Sequence, residues 1–114
     1  MTSKFEKALK ISSDMLSYCF HRGATKYHLD ILEEPDSITL AILASGVDIS
    51  VEEYEDLKRR IHAPRQKEIE QDYWELIGES EDFSEITLVG MLCDEAIVNY
   101  SDNTLNITLK RYDQ

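Results

Sequence analysis

Cationic side chains are concentrated in one short stretch of a strongly acidic chain. Five of the twelve lysine and arginine residues fall within residues 58–67, where His62 accompanies them. The five are Lys58, Arg59, Arg60, Arg65 and Lys67. Guanidinium and ammonium groups bind carboxylates and phosphates. This basic segment is therefore the candidate contact surface for an acidic partner or a phosphate-bearing ligand.

A structural role for the basic segment is the alternative. Lys58, Arg59 and Arg60 would complement the C-terminus of a helix, and acidic residues before and after them would form i, i+4 pairs. Because exposed charges contribute little to stability, we expect charge reversal at Arg59, Arg60 and Arg65 to leave folding nearly intact.

The other reactive side chains lack the spacing of known sites. Cys19 and Cys93 lie far apart in apolar helical patterns, without Cys-x-x-Cys or Cys/His spacing for zinc, and are predicted to be buried and reduced. The three histidines share no recognisable metal-binding face, and no serine lies in a Gly-x-Ser-x-Gly context. We therefore predict no catalytic residue, no metal and no cofactor.

Length and composition limit the class of protein. At 114 residues with 42% hydrophobic content, the chain fits one folded domain over residues 1–114. A formal net charge of −11 opposes binding to nucleic acid and to anionic membranes. No apolar run reaches the roughly 18 to 20 residues of a membrane helix, and the N-terminus lacks the apolar core of a signal peptide. We therefore expect a cytoplasmic protein.

The apolar residues of the N-terminal part predict a helix and then a β-hairpin. An i, i+3, i+4 spacing over residues 5–20 marks one helical face, and Gly23 is suited to end the helix. Residues 27–31 and 38–42 then alternate with the period of a strand. Between them, residues 34–37 provide Pro and Asp for a tight turn.

Three further helices are predicted before a second hairpin. A capping box at residues 50–53 opens the first of them, which Pro64 stops. The second has an apolar face within residues 69–77, and the third has a wide apolar face over residues 86–96. Residues 97–109 then predict a hairpin that turns at Ser101-Asp102-Asn103.

The predicted order is α-β-β-α-α-α-β-β. Two hairpins separated by helices favour an α+β fold, a two-layer sandwich in which a four-stranded mixed or antiparallel sheet carries its helices on one face. The opposite face, with His28, Asp30, Thr39 and Ala41, is expected to be open. Leu32 and Leu43 lie in phase with it, so a modest apolar patch there would support a homodimer.

This order resembles the GHKL ATPase superfamily, which includes the ATP-binding domains of histidine kinases and the anti-sigma-factor kinases. Residues 87–98, with the sequence Thr-Leu-Val-Gly-Met-Leu-Cys-Asp-Glu-Ala-Ile-Val, resemble that family's last helix, and residues 103–109 resemble its terminal hairpin. Residues 19–24 and the hairpin after them resemble its first conserved helix and following strands.

The residues that handle nucleotide in that family do not match. The family's Glu and its magnesium-binding Asn, four residues later, correspond here to Ser13 and Ser17. Its Asp-x-Gly-x-Gly motif, whose Asp receives the adenine amino group, corresponds to residues 44–48, Ala-Ser-Gly-Val-Asp. Its glycine-rich turn corresponds to residues 82–86, whose acidic groups would repel a triphosphate. The resemblance thus implies a degenerate fold whose ATP site is lost.

The function that these observations favour is a non-catalytic regulatory or adapter domain that acts through protein–protein interaction. In the resembled family the region between the hairpins is the mobile lid over the nucleotide, and the basic segment falls in that region. An atypical nucleotide-binding kinase-like ATPase and a self-associating structural protein are the alternatives.

Overall fold

The computed structural model describes residues 3–68, 70 and 86–112. Within them the elements are α1 (Lys4–Phe20), β1 (Lys26–Glu34), β2 (Ser37–Ser45), α2 (Val51–Ile61), α3 (Ile86–Met91), β3 (Glu95–Ser101) and β4 (Thr104–Tyr112). The protein has the predicted α+β fold, with both hairpins in place and a sheet that is antiparallel throughout. The helix predicted with its apolar face at Ile69, Tyr73, Leu76 and Ile77 lies outside the described residues.

The strands are ordered β1-β2-β4-β3, so β2 and β4 are central and β1 and β3 form the edges. Directly paired residues of antiparallel strands share a face of the sheet. One such row crosses all four strands through Leu29, Ile42, Ile107 and Val98. Ile42 and Ile107 are fully buried beneath the helices, which places the core between this face and the helical layer.

α1 begins at a capping box that the sequence analysis overlooked. The Ser3 hydroxyl accepts from the Glu6 backbone N–H, and the Glu6 carboxylate accepts from the Ser3 N–H, each at 3.1 Å. These bonds satisfy donors that the first helical turn leaves without partners. The Ser-x-x-Glu spacing was the signal that would have identified this start.

The prediction of a single apolar face on α1 is wrong, because the apolar residues form two stripes. One stripe is buried and includes Ala8, Ile11, Met15 and Cys19. The other is displaced by roughly 110° around the axis, given about 100° per residue. It contains Phe5, Leu9, Leu16 and Phe20, of which all but the half-buried Leu16 are exposed.

α2 begins at the predicted capping box of Ser50 and Glu53 and ends before Pro64. Leu57 and Ile61 are buried as predicted, whereas Val51, expected on the same face, is exposed. α3 packs closely against the end of α2. A Cβ at Gly90 would lie 2.7 Å from the carbonyl oxygens of Arg60 and Ile61, so only glycine fits without displacing backbone.

α3 ends earlier than predicted. The helical face was expected to continue to Ala96, but α3 stops at Met91 and Ala96 lies in β3. Pairing with β4 explains the difference: the Asp94 N–H donates to the Lys110 carbonyl at 2.9 Å, and Ala96 pairs with Leu109. The long central strand thus draws these residues into the sheet.

The face of the sheet away from the helices is open, as predicted. His28 and Asp30 are exposed, and Thr39 and Ala41 are half-buried between neighbouring strands. Leu32 pairs with Thr39 and Leu43 pairs with His28, so the two leucines stand apart among polar neighbours rather than forming one patch. None of the helices described here is long and apolar enough to cross a membrane.

Candidate partner-binding surface

The last turn of α2 presents three cations, Lys58, Arg59 and Arg60. Positive charge is favourable there because the final carbonyl groups of a helix carry partial negative charge. Arg59 is the most exposed, with 76% of its side chain accessible to solvent, while Lys58 and Arg60 are partly covered. α2 therefore directs part of the predicted site toward solvent.

Acidic residues of the same helix pair with these cations. The Lys58 ammonium lies 3.7 Å from a Glu55 carboxylate oxygen, and both Arg59 and Arg60 pair with Asp56. Arg60 also donates from Nε to the Thr87 hydroxyl at 3.1 Å. These contacts agree with the alternative interpretation, in which the three cations stabilise the C-terminal end of α2 and pair with acidic residues of the same helix. They do not exclude an additional partner, because a guanidinium carries five N–H donors.

Arg65 is directed into the protein and not toward solvent. Its side chain is 9% exposed and donates from Nε to Glu70 Oε1 at 2.8 Å. Its Nη1 donates to Asp94 Oδ2 at 2.5 Å and to the Tyr112 carbonyl at 2.9 Å. The premise that Arg65 is an exposed charge is therefore wrong. Charge reversal here would place three carboxylates together, so we now expect it to destabilise the fold.

Burial opposes the charge on Arg65, but hydrogen bonds and Coulomb attraction from Glu70 and Asp94 outweigh it and raise the guanidinium pKa. Arg111 joins the same group with a fully buried side chain, donating to Glu70 Oε2 at 3.4 Å and to the Leu92 carbonyl. Sequence reasoning missed Arg111, although it follows Leu105, Ile107 and Leu109 in phase on the buried face of β4.

His62 and Lys67 complete the predicted segment. The His62 ring connects α2 to the sheet, with Nδ1 2.5 Å from the Lys58 carbonyl oxygen and Nε2 2.8 Å from that of Ala96. Lys67 is exposed and makes no ion pair with any residue in the described ranges. We define the α2 cationic surface as Lys58, Arg59 and Arg60. Arg65, which is directed into the protein, and Lys67, which follows the end of α2 by six residues, are excluded from it.

A cavity of about 100 Å³ lies beside this surface, lined by residues 61–65 and 93–96. Cys93 lies at its wall, where burial raises the pKa of the thiol to about 12. A thiol that keeps its proton at neutral pH is a poor nucleophile. No cluster of three His, Cys, Asp or Glu side chains that would hold a metal ion occurs among residues 3–68, 70 and 86–112.

The positions matched to nucleotide chemistry carry structural contacts. The backbone N–H groups of Gly46 and Val47 both donate to the Asn103 carbonyl at 2.9 Å. Ala44 and Val47 are fully buried. This stretch therefore fastens the turn between β3 and β4 to the end of β2.

No protein-family model and no curated protein matches this sequence. The GHKL resemblance accordingly stays a prediction.

Proposed function

We propose that this protein is a non-catalytic regulatory or adapter domain, on a degenerate histidine-kinase-like ATPase fold, that binds an anionic protein partner through the α2 cationic surface. The observation that carries this proposal is the exposed Arg59, flanked by the partly exposed Lys58 and Arg60, on a chain with a net charge of −11. An isolated cationic area on an acidic molecule favours one orientation of approach for an anionic partner.

The use of backbone N–H groups in the connection after β2 supports the non-catalytic part of the proposal. In the resembled family this connection approaches the nucleotide, whereas here Gly46 and Val47 donate to Asn103. Both donors are therefore already used within the fold.

Charge reversal tests the surface. The double substitution Lys58→Glu and Arg59→Glu should abolish capture of the partner that the wild-type chain retains from the native cell. The matched control, Lys7→Glu with Lys110→Glu, makes the same change in net charge elsewhere and should retain capture. Wild-type binding should weaken with added salt. Equal, equally salt-sensitive capture by the α2 variant would contradict this surface.

Calorimetric titration with Mg-ATP tests the non-catalytic assignment separately. We expect no binding at submillimolar concentration. Submillimolar affinity would support the kinase-like ATPase instead, whatever the α2 variants show.

A further inference from the structure

The second apolar stripe of α1 lies beside β1 and forms a groove with it. The α1–β1 groove consists of Phe5, Leu9, Leu16 and Phe20 from α1 and Tyr27, Leu29 and Ile31 from β1. Leu9 and Phe20 are 47% and 64% exposed. An open cavity of about 340 Å³, lined by Leu16, Ser17, Phe20 and Tyr27, lies at one end of the groove. Unlike the open face of the sheet, this area concentrates large apolar side chains.

Among residues 3–68, 70 and 86–112, no strand pairs with the outer edge of β1. The two-residue turn at Pro35-Asp36 makes Glu34 and Ser37 a hydrogen-bonded pair, so by strand alternation the backbone groups of Tyr27, Leu29 and Ile31 point away from the sheet. At the turn end of β1, Lys4 donates to the Glu34 carbonyl at 2.5 Å. No other residue in the described part of the chain covers this edge with a side-chain hydrogen bond.

The opposite edge of the sheet, formed by β3, receives side-chain hydrogen bonds from α2 and the residue after it. On β3, the Val98 carbonyl accepts from the Tyr54 hydroxyl at 3.2 Å, and the Ala96 carbonyl faces His62. α2 therefore covers the edge of β3 with polar side chains. Exposed strand edges favour pairing with another strand, so β1 is the edge available for it.

β1 is complementary to itself in one antiparallel register. When a two-fold axis passes through Leu29, Tyr27 lies opposite Ile31 of the second copy, and His28 lies opposite its Asp30. The first pair continues the apolar face, and the second joins groups that already attract each other within one chain at 3.0 Å. An axis at Asp30 would oppose two aspartates, and one at Ile31 would oppose Leu29 and Glu33.

The same symmetry brings the two copies of α1 together. Lys4 lies near Glu33 and Glu34 and the end of α1 lies near Tyr27, so α1 runs antiparallel to β1. The axis therefore places Leu9 of each copy near the cavity beside Phe20 of the other. Because α1 packs mainly on β2, the two helices would be roughly 14 Å apart or less, three strand spacings, which phenylalanine side chains can bridge.

We propose that two copies of this chain associate through β1 about an axis at Leu29, forming a continuous eight-stranded antiparallel sheet with α1 of each copy packed across the seam. The occupant of the α1–β1 groove is thus a second copy. This interface is separate from the α2 cationic surface, so it does not depend on the proposed function.

Sedimentation equilibrium in about 0.15 M salt tests the interface under conditions that screen the net charge. Wild-type protein should be dimeric, and Leu9→Glu and Phe20→Glu should be monomeric with unchanged circular dichroism. Val51→Glu and Ile97→Glu alter equally exposed apolar residues outside the groove and should remain dimeric. A wild-type monomer at about 100 μM, or a dimer lost only in Ile97→Glu, would overturn the proposal.

Cysteine cross-linking tests the register. Across this axis the two Leu29 residues would form a hydrogen-bonded pair with Cα atoms about 5.5 Å apart, within disulfide reach, whereas the two Tyr27 and the two Ile31 positions would each be about 14 Å apart. Mild oxidation should cross-link Leu29→Cys but not Tyr27→Cys or Ile31→Cys. The native Cys19 and Cys93 are buried and should not interfere. Efficient cross-linking through position 31 instead would overturn the register.

A charge exchange provides an independent test. His28→Glu should weaken association roughly tenfold, because each added Glu faces Asp30 of the other copy and the dimer contains two such pairs. Adding Asp30→Lys should restore the affinity. Failure of the double variant to recover would contradict the His28–Asp30 pairing.

Discussion

At the level of single residues, Arg65 differs from the cations that precede it in sequence. It shares Glu70 with Arg111 and shares Asp94 with the Tyr112 N–H, which donates to that carboxylate at 2.7 Å. Its guanidinium therefore links the end of β4 to the residues before α3. The contribution of such a charged group to folding stability depends on its burial and not on its charge alone.

We predict that Arg65→Met lowers the free energy of unfolding by about 3 kcal/mol, because Glu70 and Asp94 would lose a buried counter-charge. Arg59→Met removes an exposed pair and should cost less than about 1 kcal/mol. Urea denaturation of the two variants provides the comparison. Equal stability of the two variants would contradict a structural role for Arg65.

The two buried thiols should make the folded protein less stable at alkaline pH. Burial raises the pKa of Cys19 to about 11 and that of Cys93 to about 12, from an ordinary value near 9. Above about pH 9 the unfolded chain releases these protons while the folded chain retains them. The free energy of unfolding should therefore fall as pH rises from about 9 toward 12. Cys19→Ala with Cys93→Ala should show a shallower fall in pH-dependent denaturation, and an unchanged slope would refute this origin.

At the level of elements, the capping boxes fix where α1 and α2 begin. We predict that Ser50→Ala costs about 1 kcal/mol, since the Glu53 N–H loses its acceptor at 3.0 Å. Ser13→Ala, at an exposed position within α1, is the matched control and should be neutral or slightly stabilising. Thermal denaturation distinguishes them, and an equal effect at both positions would argue against the cap.

Gly90 tests the contact between α2 and α3. Helix propensity alone predicts that Gly90→Ala stabilises by up to about 1 kcal/mol. The new methyl group would instead meet two carbonyl oxygens at 2.7 Å, so we predict a net destabilisation of about 1 to 3 kcal/mol. Chemical denaturation gives the sign directly, and a gain in stability would show that the helices separate easily.

Local patterns predicted most of the elements. Strand alternation and turn residues identified both hairpins, including the Asp102-Asn103 turn, whose residues have φ of 51° and 59°. Hydrophobic periodicity gave wrong predictions where tertiary packing, and not the local sequence, determines the structure. It did not separate the two stripes of α1, because both are apolar and only packing shows which is covered, and it extended α3 into β3.

At the level of the whole molecule, the candidate site likewise could not be predicted from local sequence patterns alone. The residues of the basic segment were identified from charge alone, but Arg65 binds groups 5, 29 and 47 residues away in sequence. Nothing local distinguishes it from Arg59. The sorting of cations into an exposed surface and a buried cluster therefore required the folded structure.

The strand order determines when the sheet can be completed during synthesis of the chain. β2 has β4 as its inner neighbour, and about 60 residues separate Ser45 from Thr104, which corresponds to roughly 3 to 12 s of synthesis at about 5 to 20 residues per second. During that interval the first hairpin emerges from the ribosome with the edge of β2 that later pairs with β4 lacking a partner strand. Stalled nascent chains should therefore remain protease-sensitive when truncated at Ser101 and become resistant only once Tyr112 has cleared the exit tunnel. Earlier protection would show that the N-terminal half folds first, and until then β2 is the segment a chaperone would need to shield.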